Sequence, residues 1–180
     1  MLISKQQQFV LEVLQRLGCT RKDQLEALLK ARFFPPEKAV PPGFVDAVLR
    51  QFRCGNIELR HEGDAIFLPE KAPDDRLLEA VDVMLELSAA SPSDFWAECK
   101  GPVLLRFSVS GKKISLFAVL HANDLAGPDV RAPPDVGKAE RVVILLSGDG
   151  PPPALNIPNS VFYALRQEDG SHRFFAREQN

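Results

Sequence analysis

The sequence predicts an α+β fold in two units, residues 1–70 and 71–180. Three observations carry that expectation. Apolar residues in the first third of the chain recur at the helical period in three successive stretches. The period then switches to two over a short ribbon. After one more helical stretch, the remaining apolar runs are of strand length and are separated by turn residues and proline-rich loops.

Phe9, Val10, Val13, Leu14 and Leu17 form the first stripe, with Ser4 placed to cap the orphaned first-turn amides and Gly18 to stop the helix. Thr20 occupies the expected cap of a second helix, which buries Leu25, Leu28 and Leu29 and ends near Arg32. A third begins after Pro42, carries Phe44, Val45, Val48, Leu49 and Phe52, and ends at Gly55 and Asn56. Ile57 and Leu59 then alternate with Glu58 and Arg60, and a Glu62-Gly63-Asp64 turn leads into Ala65 to Leu68, the pattern of a hairpin. Helices this short do not persist alone, so the three stripes must face one another. Three helices followed by a ribbon is the order of a winged helix-turn-helix. The connection from residue 33 to 43, with two Pro-Pro pairs, is longer than a tight helix-turn-helix uses, and Phe33 and Phe34 are expected to fold back into the core.

In the second unit Asp74 or Asp75 caps a helix bearing Leu77, Leu78, Val81, Met84, Leu85 and Leu87, suited to pack on a sheet or against a twin. Strands are expected at Phe95–Cys99, Val103–Val109, Ile114–His121, Glu140–Ser147, Val161–Arg166 and Arg173–Arg177. Ser110-Gly111-Lys112-Lys113 and Glu168-Asp169-Gly170-Ser171 make two hairpins, and Val142 to Leu146 reads as a central strand. Asn123–Lys138 and Gly148–Pro158 show no helical period. A doubly wound parallel fold needs crossover helices there, so a mixed or antiparallel α+β sheet is expected.

Composition bounds the function. The chain is 45% hydrophobic and 26% charged, ordinary for a globular protein. No apolar run reaches the 18 or so residues needed to span a bilayer, and Ser4 to Gln8 is polar where a signal peptide is apolar. Cys19, Cys54 and Cys99 are odd in number and widely spaced, which fits reduced thiols. A cytoplasmic protein without a membrane partner is the expectation. The formal net charge of −2 argues against a simple polycation. Placement matters more than the sum: the polar side of the third helix offers Arg50, Gln51 and Arg53 against Asp46, and the ribbon adds Arg60 and His61. Arginines suit phosphates and guanine edges, and Gln51 suits adenine. The plainer alternative is the solvated face of a core helix.

Leu2-Ile3-Ser4-Lys5-Gln6, Leu17-Gly18-Cys19-Thr20 and Asp23-Gln24-Leu25, with the third helix and acidic-turn ribbon of Phe44 to Leu68, resemble winged-helix proteins of bacterial plasmids and conjugative elements, the replication-relaxation group among them. The resemblance covers residues 2–69 and extends to residues 74–180 in general layout. It implies a DNA-binding N-terminal domain joined to a C-terminal domain related in shape to restriction endonucleases, in a degenerate form.

Catalytic signals are sparse. Glu98-Cys99-Lys100 matches the Glu-x-Lys half of an endonuclease metal site, but Asp94 and Asp82 are poorly placed as the second carboxylate, and a solvated strand explains the tripeptide. Cys54 and His61 lack further zinc ligands. His121 and His172 fall at strand ends and are expected on the surface, and Cys99 has no neighbouring base. Ser147-Gly148-Asp149-Gly150 resembles a phosphate-cradling turn without the helix that would complete it. No catalytic residue, metal or cofactor is therefore expected. Two readings remain: a non-enzymatic DNA-binding regulator or replication/transfer accessory factor of a mobile element, binding double-stranded DNA as a homodimer, or a protein-interaction module. A degenerate metal-dependent nuclease is a minor third.

Overall fold

The computed structural model describes residues 3–54, 57–125, 136–148 and 159–176. Helix α1 (Lys5–Leu17) begins with a reciprocal box: the Ser4 hydroxyl accepts from the Gln7 amide at 3.2 Å, and the Gln7 side-chain oxygen accepts from the Ser4 amide at 2.9 Å. It ends at Gly18, φ +86°, whose amide donates to the Leu14 carbonyl.

Thr20 does not cap the second helix. It is fully buried inside a three-residue strand, β1 (Cys19–Arg21), and α2 (Lys22–Phe33) follows at once. The α2 entry is closed by Gln24, whose side-chain oxygen accepts the Arg21 amide at 2.9 Å. Helix α3 (Phe44–Cys54) precedes the hairpin β2 (Arg60–Glu62) and β3 (Ala65–Phe67), which turns at Gly63, φ +55°. Gly55 and Asn56, the expected end of α3, lie outside the described residues. Strand β3 is central, antiparallel to both neighbours, with Ile66 opposite Thr20 on one side and His61 on the other.

Val10 and Leu14 of α1, Leu25 and Leu29 of α2, and Val45 and Phe52 of α3 converge in one buried cluster. Phe33 sets its edge on Phe9 at 5.7 Å between centroids, and Phe34 sets its edge on Phe44 at 5.1 Å, so the proline-rich connection is tied at both ends by aromatic contacts.

Helix α4 (Asp75–Leu87) is capped by Asp74, whose Oδ1 accepts from the Arg76 and Leu77 amides. Leu77, Leu78, Val81 and Met84 are buried within this chain, against β5 and β6 and against β1 and α2. The helix closes in a Schellman pattern, the Ala90 amide donating to Leu85 and the Ala89 amide to Glu86. Ala89 and Ala90 take φ of +48° and +58°, where glycine is the usual occupant.

The large sheet runs β4 (Asp94–Ala97), β5 (Val103–Ser110), β6 (Ile114–His121), β7 (Arg141–Leu146), β8 (Ser160–Arg166), β9 (His172–Ala176), in that spatial order. β4, β5 and β6 form an antiparallel meander; β6, β7 and β8 are parallel; β9 returns antiparallel. The sheet is thus mixed, as the sequence suggests. One face, with Phe107, Phe117, Val119, Val143 and Leu145, joins the cluster that contains the helical trio. The other, with Ala118, Leu120, Val142, Ile144 and Tyr163, packs on Leu125, Val136 and Ala139.

Polar contacts also cross between the small sheet's helices and the rest. Arg16 of α1 pairs with Asp94 of β4, while Asp82 of α4 accepts from Arg21 at 2.5 Å and from the Gln24 amide group at 2.7 Å. Among the described residues no helix is long and apolar enough to cross a membrane.

Candidate nucleic-acid interface

Burial of Val45, Val48, Leu49 and Phe52 decides which side of α3 faces outward. At about 100° per residue, Asp46, Arg50 and Arg53 fall on one exposed flank, and Gln51 falls on the opposite flank. The ribbon meets the first flank. Asp46, Leu49, Arg50, Arg53 and His61 line one open groove of about 410 Å³.

The five residues singled out from the sequence are all exposed, but the structure does not bring them together. Arg50, Arg53 and His61 share the groove. Gln51 is not among its lining residues, and Arg60, on the alternate face of β2 from His61, has its Nε 3.5 Å from Glu58 Oε1.

Within the groove the charges are partly spent. Arg50 Nε donates to the Asp46 carbonyl at 3.3 Å, and the Asp46 carboxylate accepts from Lys22 Nζ at 2.7 Å. Among the described residues Arg53 forms no ion pair. Lys22, the first residue of α2, therefore borders the site through Asp46, a neighbour that sequence reasoning missed. Its signal was its place at a helix start, where backbone amides and a cation together suit a phosphate.

The remaining candidates are structural. Glu98 is not a freely solvated strand residue: it follows β4, half-buried, and its Oε1 accepts from Arg106 Nε at 2.7 Å and from Trp96 Nε1 at 3.2 Å. The largely buried Arg106, also bonded to the Val136 carbonyl, explains this, because such a guanidinium needs a carboxylate. Lys100 is exposed. Among the described residues no three His, Cys, Asp or Glu side chains converge as a metal-ligand group. The Cys54 side chain lies outside the described residues, Cys99 is exposed, and burial pushes the Cys19 thiol up from its ordinary value.

His121 and His172, expected on the surface, are both buried. His121 Nδ1 accepts the Asn123 amide at 3.2 Å and its Nε2 lies 3.0 Å from Ser147 Oγ. His172 sits between two α4 carboxylates, Nδ1 2.7 Å from Glu86 Oε1 and Nε2 3.4 Å from Glu79 Oε1. Strand-end position alone does not expose a histidine when a helix lies over the sheet.

No protein-family model, curated protein or solved structure matches this chain.

Proposed function

We propose that the chain is a non-enzymatic DNA-binding protein whose N-terminal unit is a winged helix-turn-helix, with α3 entering the major groove and the β2–β3 ribbon touching backbone. The observation that carries this reading is that Arg50 and Arg53 of α3 and His61 of the ribbon line one exposed groove. His61 is held in the ribbon by antiparallel pairing of β2 with β3, where it lies opposite Ile66. The C-terminal sheet acts as a scaffold, in keeping with the degenerate endonuclease shape that the resemblance implies, since Glu98 is committed to Arg106 and Trp96. Regulation, or accessory service to replication or transfer of a mobile element, is the process this reading fits, with two copies on one duplex doubling a modest positive surface.

The test is a salt-dependent titration of duplex DNA followed by fluorescence anisotropy. Wild type should bind at low salt, and Arg50→Ala and Arg53→Ala should each lower affinity about five- to tenfold and reduce the log–log salt slope by about 0.9. Absence of wild-type binding at low salt removes the proposal. It would favour the second reading, a protein-interaction module, for which the Asp46 carboxylate in the groove and the Glu58–Arg60 pair are the supporting observations.

A further inference from the structure

Strands β6, β7 and β8 run parallel, so their carboxyl ends open at one end of the sheet, the place where open α/β sheets receive ligands. A pocket of about 490 Å³ lies there, lined by Glu79, Ser147, Gly148, Arg166, Glu168 and Arg173 together with apolar and amide side chains.

Two features make this more than a dent between loops. First, the Ser147 hydroxyl is held by a buried base of fixed tautomer. His121 is 5% exposed, and its Nδ1 accepts the Asn123 amide, so the neutral ring carries its proton on Nε2 and donates it to Ser147 Oγ at 3.0 Å. The hydroxyl is thereby an acceptor toward His121, and its own proton is left for a partner in the pocket. This is the reverse of a nucleophile–base pair, in which the serine proton goes to the imidazole. The arrangement presents a donor and does not activate a nucleophile.

Second, Arg166 at the end of β8 and Arg173 on β9 reach the pocket from opposite faces of the sheet end, and among the described residues neither is in an ion pair. Of the two lining carboxylates, Glu79 is engaged by His172 at 3.4 Å and also feels the charge of Arg166, and Glu168 lies on the exposed β8–β9 turn.

We propose that this pocket binds a phosphate group, free or as a monoester, through Ser147 Oγ and the guanidinium groups of Arg166 and Arg173. A hydroxyl proton and two guanidinium groups lining one pocket supply the charge-assisted donors that a phosphate oxyanion takes. The site is separate from the α3 groove and independent of the DNA reading.

The test titrates the full chain with inorganic phosphate and, separately, with glycerol phosphate, at ionic strength held constant with chloride. Thermal midpoint and the amide resonances of Ser147 and Gly148 are followed. A saturable response with Kd on the order of millimolar is expected. Ser147→Ala and Arg166→Gln should each weaken it about tenfold, and Lys113→Gln, at the far hairpin, should leave it unchanged. Tighter binding of the ester identifies a phosphorylated metabolite, and equal binding identifies the free ion. A non-saturable response, no response, or equal affinity in all three variants overturns the proposal. Arg166 is exposed, so its variant keeps the test decisive should Ser147→Ala fail to fold.

Discussion

His172 offers the sharpest test of how the two layers are joined. Its side chain is wholly inaccessible, and each ring nitrogen faces a carboxylate of α4, at 2.7 Å and 3.4 Å. Carboxylates only accept, so both nitrogens must carry protons for both contacts to be hydrogen bonds. Burial opposes the charged ring, but hydrogen bonds and charge from Glu79 and Glu86 outweigh it and hold the His172 pKa above its ordinary 6.5. A raised folded-state pKa contributes stability that is complete below the unfolded value and is lost as pH rises through the folded one. Glu79 carries the complementary shift. Its bond from His172 outweighs desolvation and lowers its pKa below 4.5, so its contribution is present above 4.5 and is lost as pH falls through the folded value.

The joint contribution is therefore greatest between these limits, around pH 5 to 6. Removing one partner of a buried ionic group costs about 3–5 kcal/mol; with Glu86 31% exposed, the lower end applies, about 3 kcal/mol for His172→Gln. At a urea m-value of about 2 kcal/mol/M this lowers the midpoint by about 1.5 M. Urea unfolding of wild type and variant at pH 6 and pH 9 should show that difference at pH 6 and a smaller one at pH 9. A difference that is the same at both pH values, or larger at pH 9, refutes the charged assignment.

Three further outcomes follow from local geometry. Asp46→Asn frees Lys22 and removes the carboxylate from the groove, so DNA affinity should rise about three- to tenfold, with a salt slope steeper by about 0.9, read by the same anisotropy titration. Ala89→Gly relieves a left-handed residue at the close of α4. A penalty of about 1–2 kcal/mol, less the greater chain entropy of glycine, gives a gain of about 0.5–1 kcal/mol in chemical unfolding. Glu98→Ala strands the largely buried Arg106 and should cost about 2–3 kcal/mol in the same assay, where a metal ligand on the surface would cost little.

Local chemistry made the helical part readable. Ser4 acts on the amide of Gln7 and Gly18 on the carbonyl of Leu14, each within four residues, so the start and end of α1 are visible as a cap and a stop. The same holds for Asp74 and for the hairpin between β5 and β6. Strand β1 was not visible, because three residues, Cys-Thr-Arg, carry no period, and what makes them a strand is β3, met only at residues 65–67. That is also why Thr20 looked like a cap: a β-branched hydroxyl beside a helix start fits both roles until the pairing with Ile66 is known. His172 failed for a related reason. Its partners lie on a helix 86 and 93 residues earlier, and burial of a strand end depends on what covers it.

The candidate interface shows the same division. Helical arithmetic puts Arg50 and Arg53 on one side from sequence alone, and it could equally have set Gln51 apart, since one residue of separation is about 100°. Which flank the ribbon would meet required the fold. Net charge was the least informative signal. Surface charges act within a Debye length of about 8–10 Å, so the charges beside α3 weigh more on any ligand of that helix than the whole-chain sum does. The lining of the groove presents the cations Arg50 and Arg53 against the single carboxylate of Asp46, a local balance that the whole-chain value of −2 conceals. Asp46 thus decides how much of that positive charge a phosphate can use, because it holds Lys22 through 2.7 Å and leaves Arg53 as the cation without a described partner.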